Sequence, residues 1–209
     1  MIEPHPTPPD LLVLHTLRCI GFASVQRVEA ALAGLTDADV EEELLSLAAQ
    51  GLVTHERGEF GGWGLTDAGK AADTERIGDE LDVAGGRGEV QVAYVDFLDL
   101  NPRALDLCGA WQVRGVDGSV VLNDHTDAEY DNSVLARLAD LDAEAQHVCA
   151  RLGARLQRFS RYGPRLARAL ERAGAGDVAQ ITDSLDSYHT VWFQLHEDLL
   201  ATLGIARDA

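Results

Sequence analysis

The sequence has very little lysine. Lys70 is the single lysine among 209 residues, and the other 16 basic residues are arginine. Against them stand 35 acidic residues, which gives a formal net charge of −18. A field of this sign repels polyanions at long range. Binding to nucleic acid would therefore require locally placed basic residues or a dimer geometry that overcomes the repulsion.

Cysteine is also scarce. Cys19, Cys108 and Cys149 are widely spaced and form no C-x-x-C pair, so we expect buried thiols in a reducing compartment. No run of ~18 apolar residues is present, and we therefore expect no membrane-spanning helix and no membrane partner. The N-terminal segment lacks the basic and apolar regions of a secretion signal, which predicts a cytoplasmic location.

The common catalytic motifs are missing as well. The sequence has no G-x-S-x-G, no H-E-x-x-H, no P-loop and no cysteine with a positioned histidine. Acidic pairs such as Glu197 and Asp198 fall on predicted helices, where a charged solvent face is expected. We predict a protein that is not an enzyme and carries no cofactor or metal. An enzyme that uses the helix of His189 and His196 is the remaining alternative.

The first 82 residues have the pattern of three helices, a hairpin and a fourth helix. Four polar residues are placed to cap these helices: Asp10, Ser24, Thr36 and Thr66. In the third helix, residues spaced i, i+4 and i+7 predict a core-facing side: Val40, Leu44 and Leu47. The segment 52–57 reads as a strand, Gly58 and Gly61-Gly62 as a turn, and 63–66 as the returning strand.

This order of elements resembles the winged helix-turn-helix domain of MarR-like regulators over about residues 10–82. The resemblance rests on A-A-Q-G-L-V before the hairpin and on G-W-G-L-T-D-A-G-K after it, with the closing pattern Leu65, Thr66 and Gly69. It implies a transcription regulator in which the third helix reads the major groove of double-stranded DNA and the wing contacts the adjacent backbone. The positions implied are Thr36, Ala38, Asp39, Glu42 and Ser46, with Arg57 in the wing.

The sequence departs from that family in the charge of the third helix, which is acidic and has no basic residue. Residues 1–82 as a whole contain 16 acidic and 5 basic residues. Glutamate and aspartate can accept from cytosine amino groups, but several carboxylates beside phosphates would repel them without compensating bases. The alternative is a winged-helix adaptor that contacts a protein, or regulates an enzyme, without binding DNA. Similar winged segments within bacterial pyruvate phosphate dikinase-type enzymes agree with that alternative.

Residues 83–88 form a Gly-rich hinge, which divides a domain at 1–82 from a second domain at 89–209. The second domain reads as an all-α helical bundle for ligand sensing and dimerisation, so the predicted fold class is mainly α. Asn101-Pro102 predicts the start of a new helix within it. Asp124-His125 reads as a cap or loop hydrogen-bond pair, with a metal or proton-relay role as the alternative.

Seven arginines follow a helical period between residues 151 and 172. At ~100° per residue they fall within an arc of roughly 140°, and Gly163-Pro164 should kink the helix or split it in two. The arginines could form a solvated face paired with local acids, an anion-binding rim, or a docking strip for the acidic first domain. They are Arg151, Arg155, Arg158, Arg161, Arg165, Arg168 and Arg172.

An aromatic-lined pocket for a small organic or anionic effector is the predicted site of the second domain. We also expect a homodimer. The alternatives are an aromatic core without a ligand and a metal site that uses the histidines. The predicted ligand-binding residues are Trp111, Arg155, Arg158, Tyr188, His189, Trp192 and His196.

Overall fold

The computed structural model describes residues 3–58, 61–116 and 118–206, and it is mainly helical. The chain divides into two compact units. Unit 1 comprises Met1–Gln91, Leu152–Arg161 and Gln194–Ala209, and unit 2 comprises Val92–Arg151 and Tyr162–Phe193. Among the described residues, no helix combines the length and the apolar character needed to cross a membrane.

These units differ from the contiguous domains predicted on either side of residues 83–88. The Gly-rich segment is a short break between two helices, and the C-terminal part of the chain supplies two segments to unit 1. The glycine content of residues 83–88 predicts the break between the two helices. Which distant segments join unit 1 depends on tertiary packing.

The first part of the chain contains α1 (Pro9–Ile20), α2 (Val25–Leu32), α3 (Val40–Ala49), β1 (Val53–Glu56), β2 (Gly62–Leu65) and α4 (Asp67–Ala84). The remainder contains α5 (Arg87–Gln112), β3 (Val113–Val116), β4 (Ser119–Leu122), α6 (Ala128–Gly153), a 3-10 helix (Gln157–Arg161), α7 (Tyr162–Gly174), α8 (Ala179–Thr182) and α9 (Tyr188–Leu203).

Two of the four predicted helix caps are confirmed. Ser24 accepts from the backbone N–H of Arg27, and Thr66 accepts from the N–H of Gly69 at 3.0 Å. The prediction for Asp10 is wrong, because α1 begins after Pro8 without a side-chain cap. The prediction for Thr36 is wrong too, because Asp39 is closer to the first free N–H groups of α3 and accepts from two of them.

The core of the first part of unit 1 lies between α1, α2, α3 and the β1–β2 hairpin. The predicted core residues of α3 (Val40, Leu44 and Leu47) are all buried there, which confirms the helical period. β1 and β2 pair antiparallel from Val53↔Leu65 to Glu56↔Gly62. A single antiparallel bridge between Ala23 and Trp63 adds a short third segment beside β2.

The junction between the hairpin and α4 is tightly packed. The Thr66 hydroxyl donates to the carbonyl of Gly51 at 2.8 Å, and the Thr66 N–H donates to the carbonyl of Leu52 at 3.0 Å. A Cβ added to Gly69 would lie 1.9 Å from that Leu52 carbonyl oxygen. The pattern Leu65-Thr66-x-x-Gly69 therefore has a physical reason, since only glycine allows the backbones to approach this closely.

In unit 2 the predicted helix start at Asn101-Pro102 is wrong, because α5 continues through Pro102 without a break. Proline removes one backbone donor from a helix. Here the residue four positions earlier, Leu98, is exposed, as is Pro102 itself. Water can therefore satisfy the carbonyl that lacks a partner, and the helix persists.

The prediction of an all-α second domain is also wrong in one place. β3 and β4 form an antiparallel hairpin, with pairs from Val113↔Leu122 to Val116↔Ser119. Gly118 in its turn has a φ of 80°, which favours glycine, and residue 117 lies outside the described residues. The run of β-branched residues on either side of this glycine outweighs the helical context.

The arginine-rich segment is not one helix. α6 ends at Gly153, and the chain then folds back so closely that a Cβ on Gly153 would lie 3.2 Å from the Cα of Ser160. Hydrogen bonds of the i→i+3 type close the next turns, including Phe159 N–H to the carbonyl of Leu156. Of the kink or split predicted at Gly163-Pro164, the structure has the split, because α7 begins at Tyr162 and Pro164 lies in its first turn, where proline is tolerated.

Candidate functional site

The exposed side of α3 is an acidic surface. Glu41 and Glu42 are exposed, Glu43 is half-buried, and the helix has no basic residue. Between these acids and Ser46 lies Leu45, which is 57% exposed. We call the exposed residues Glu41, Glu42, Leu45, Ser46 and Ala49 the α3 surface.

The N-terminus of α3 is closed to anions. The Asp39 carboxylate accepts from the backbone N–H of Glu41 at 2.9 Å and from that of Glu42 at 3.1 Å. These are among the groups with which a helix N-terminus binds phosphate. Because a carboxylate already occupies them, this helix end offers little to a DNA backbone.

The structure separates the residues predicted to contact DNA. Thr36 and Ala38 precede α3, where the Thr36 hydroxyl accepts from the Ala38 N–H at 3.1 Å. Asp39 is the cap, whereas Glu42 and Ser46 lie one turn apart on the α3 surface. Arg57 is exposed directly after β1.

Unit 1 also contains a buried network of charged side chains. His15 of α1 lies between Asp73 of α4 and Asp198 of α9. Two arginines of the 3-10 helix complete the network: Arg158 donates to Asp198 at 2.7 Å, and Arg161 donates to its other oxygen at 3.0 Å. The network therefore joins four segments that are far apart in the sequence.

Further polar groups surround the two guanidinium groups. Arg158 donates to Glu80 at 3.0 Å and to the Thr202 hydroxyl at 2.8 Å. Arg161 donates to the Thr16 hydroxyl at 2.6 Å. All of these side chains are buried, which makes each hydrogen bond necessary to offset the cost of removing the charge from water.

The charges of the network balance when His15 is protonated. Its Nδ1 lies 2.9 Å from Asp73 Oδ1 and its Nε2 lies 3.0 Å from Asp198 Oδ1. Only the imidazolium form can donate from both nitrogens. With it, three positive charges face the three carboxylates of Asp73, Asp198 and Glu80.

The electrostatics agree with this assignment. Burial by itself lowers the pKa of His15, but Cys19, Asp73 and Asp198 together raise it well above its usual value. Burial likewise raises the pKa of Asp198, yet Arg158, His15 and Arg161 outweigh it and hold that pKa far below its usual range. Both directions favour the charged forms.

The predicted ligand-binding residues are divided between the two units. Trp111, Tyr188, His189 and Trp192 belong to unit 2, whereas Arg155, Arg158 and His196 belong to unit 1. Arg158 is committed to the buried network. Arg155 pairs with Glu89 and lines a cavity of about 510 Å³ in unit 1, together with His5 and Ala84.

The aromatic side chains of unit 2 satisfy their polar atoms within that unit. The Trp111 indole donates to the Val178 carbonyl at 3.0 Å, and the Trp192 indole donates to Asn101 at 2.9 Å. The Tyr188 hydroxyl donates to Asp142 at 3.2 Å, and burial, with Asp142 adding to it, raises the pKa of Tyr188 well above its usual value. These contacts are those of a packed aromatic core.

Several arginines of the predicted series pair with nearby acids. Arg151 donates to Asp96, and Arg172 donates to Asp177 at 2.7 Å. Neither these pairs nor those of Arg155 and Arg158 involve the acidic residues of α3. His125 pairs with Asp131 at 3.0 Å rather than with Asp124, which accepts from Thr126 as a loop hydrogen bond.

No family model, curated protein or solved structure matches this chain. The inference of function therefore rests on the α3 surface, the buried network and the order of the elements around them.

The network includes the donor atoms of a possible metal site. The ligand atoms of His15, Cys19 and Asp198 all lie within 4.8 Å of one another, and they are buried. This donor set would suit a zinc-like ion. The same atoms are already satisfied by protons and guanidinium groups, however, and the charge balance is complete without a cation.

Sequence reasoning missed the network because its members have different sequence contexts. His15 lies between the apolar residues Leu14 and Leu17, and Asp198 was assigned to a solvent face. A buried position for His15 could have been inferred from the apolar period of α1. Its partners could not, because Asp73, Arg158 and Asp198 come from other helices.

Proposed function

We propose that unit 1 contains a winged-helix domain whose α3 surface binds a basic protein surface, so that the chain acts as a regulatory adaptor. The observation that carries this proposal is the N-terminal end of α3. Asp39 occupies its free N–H groups, and Glu41 and Glu42 extend the negative charge outwards.

The winged-helix assignment is supported by the order α1, α2, α3, β1, β2, α4. The isolated antiparallel bridge between Ala23 and Trp63 joins the segment before α2 to β2. His55 stacks on Trp63 with ring centroids 4.5 Å apart, which steadies the hairpin beside it. The sequence resemblance covers the same residues.

The character of the partner follows from charge and from Leu45. Acidic side chains around an exposed leucine match a surface in which arginine or lysine surrounds an apolar centre. Such complementarity increases the association rate and weakens with salt, because exposed charges are screened over about 10 Å at 0.1 M. A phosphate backbone is negatively charged, so the same glutamates would repel it.

Direct DNA binding is the second candidate. It is favoured by the exposed Arg57 after β1, at the position where a wing contacts the DNA backbone. Lys70 and Arg27 are further bases in the same part of the chain. A protein that makes 6–10 phosphate contacts owes much of its DNA affinity at moderate salt to those contacts. The three basic residues named here are fewer than that number, and the acidic residues of α3 oppose them.

A charge-reversal experiment separates the two candidates. The double variant Glu41→Lys and Glu42→Lys changes the α3 surface, and Glu29→Lys with Glu75→Lys makes the same charge change at exposed positions of α2 and α4. Crosslinking in the cells of origin should yield a protein partner with the wild type and the control, but not with the α3 variant. Fluorescence anisotropy at ~50 mM salt should detect no binding of the wild type to duplex DNA.

The opposite result would favour the second candidate. Salt-dependent binding of the wild type to upstream DNA, lost on replacement of Arg57 by glutamate, would show that the wing contacts phosphates. Crosslinks retained in full by the α3 variant would refute the role of the α3 surface.

A further inference from the structure

The β3–β4 hairpin of unit 2 exposes apolar side chains on both of its faces. Val120 is 77% exposed and Leu122 is 79% exposed. Val113, Val116 and Val121 are also exposed. Large apolar side chains in such a continuous group are uncommon on a monomer and mark a contact with another molecule.

The backbone of the hairpin also favours contact with another molecule. Among the described residues, β3 pairs with β4 and with no other strand, so each strand has one unpaired edge. A two-stranded hairpin by itself is marginally stable in water. Unpaired edges also accept further strands through their free N–H and C=O groups.

The helix that leads into β3 has four exposed apolar residues on its outer side, together with the exposed acids Asp99 and Asp106. Val92, Val95, Leu98 and Leu105 of α5 are exposed, and at ~100° per residue they lie within an arc of about 140°. Buried residues such as Phe97 occupy the opposite side of the helix. α5 therefore has apolar residues both towards its core and towards solvent.

We propose that two copies of this chain associate through the hairpin, with the exposed side of α5 as the flank of the interface. This inference does not depend on the protein-binding role of the α3 surface. The hairpin surface is defined as Val113, Val116, Val120, Val121 and Leu122, and the helix flank as Val92, Val95, Leu98 and Leu105.

The exposed apolar area matches what a stable dimer requires. A fully exposed valine or leucine side chain presents roughly 100 Å², so the exposed fractions of these nine residues amount to about 500 Å² per chain. Protein interfaces are about 60% apolar. The whole contact would then cover roughly 800 Å² per chain, which is the standard size for a specific interface.

Charge opposes a second copy least at the hairpin. A chain of net charge −18 repels itself, and the repulsion is smallest where acidic residues are few. The described charged residue within β3 and β4 is Arg114, which pairs with Asp124 and Asp127. A two-fold axis can bring the same strand of both copies together in antiparallel pairing, which satisfies the free edges symmetrically.

Sedimentation equilibrium of the full chain over micromolar concentrations tests the proposal. The wild type should be a dimer, and raising the salt should strengthen association by screening the net repulsion. Leu122→Asp should weaken the dimer at least about 30-fold, as expected of a central interface residue. Leu185→Asp is the matched control, because Leu185 is a 62% exposed leucine of unit 2 outside the hairpin surface, and it should leave the dimer unchanged.

Hydrogen exchange of the wild type provides a readout that does not depend on how the variant folds. The amides of residues 119–122 should exchange faster as the protein is diluted. A monomeric wild type at all concentrations, a Leu122→Asp dimer as tight as the wild type, or exchange of these amides that is independent of concentration would each overturn the proposal.

Discussion

Replacing His15 by glutamine should destabilise unit 1 and remove the alkaline pH dependence of its stability. Glutamine is similar in size but carries no charge, so the carboxylates of Asp73, Asp198 and Glu80 would face only two guanidinium groups. Removing one partner from a buried ionic network typically costs about 3–5 kcal/mol. We expect a loss of that size near neutral pH, where the imidazolium contributes.

The sign of the pH dependence follows from the raised pKa of His15 in the folded chain. The stabilisation from the imidazolium is fully present below the unfolded pKa of about 6.5. It is lost as the pH rises through the folded pKa, with a slope of up to about 1.4 kcal/mol per pH unit for one proton. Asp198 has its effect at acidic pH. Its lowered pKa adds stability above about pH 3.9, and this stability is lost as the pH falls.

Urea denaturation at a series of pH values from about 6 to about 8, below the range in which unfolded cysteines titrate, would measure this slope. The wild type should lose stability towards alkaline pH, and His15→Gln should be flat over the same range. His147→Gln is a suitable control, because His147 is exposed and the substitution leaves the network intact. A wild-type stability that does not change with alkaline pH, or an equal slope in His15→Gln, would refute the assignment of a buried imidazolium.

Two further predictions concern packing and thiol reactivity. Gly69→Ala should destabilise the chain by about 3 kcal/mol or more in thermal or urea unfolding, because its Cβ would meet the Leu52 carbonyl. Gly78→Ala in the same helix has no atom within 4 Å of the new Cβ and should stabilise it by up to about 1 kcal/mol; equal effects would contradict the packing argument. Burial raises the pKa of the Cys108 and Cys149 thiols to about 12, so a thiol reagent at about pH 8 should label them only after unfolding. Rapid labelling of either in the folded protein would contradict this.

Local features of the first 84 residues could be predicted because their causes are local. Ser24 and Thr66 cap helices through N–H groups three residues away, and the period of Val40, Leu44 and Leu47 defines the buried side of α3. The acidic character of α3 was visible for the same reason. Even here Thr36 was preferred over Asp39, because two polar residues three positions apart are equally suited to a cap on sequence alone.

Features that depend on distant segments were not predictable. The period of the arginines suggested one helical face, yet Arg158 and Arg161 lie in a 3-10 turn and point into unit 1. Periodicity describes a side chain only relative to its own helix. It does not give the direction in which the chain turns after Gly153, and that turn decides which arginines are buried.

The sequence by itself determined the mainly helical class, the acidic charge of α3 and the helix caps at Ser24 and Thr66. Each follows from spacing, charge or conformation within a few residues. Tertiary structure alone decided that His15 meets Asp73 and Asp198, and that the β3–β4 hairpin is left exposed. Those outcomes depend on which segments fill the space around a residue, and this is a property of the whole packed chain.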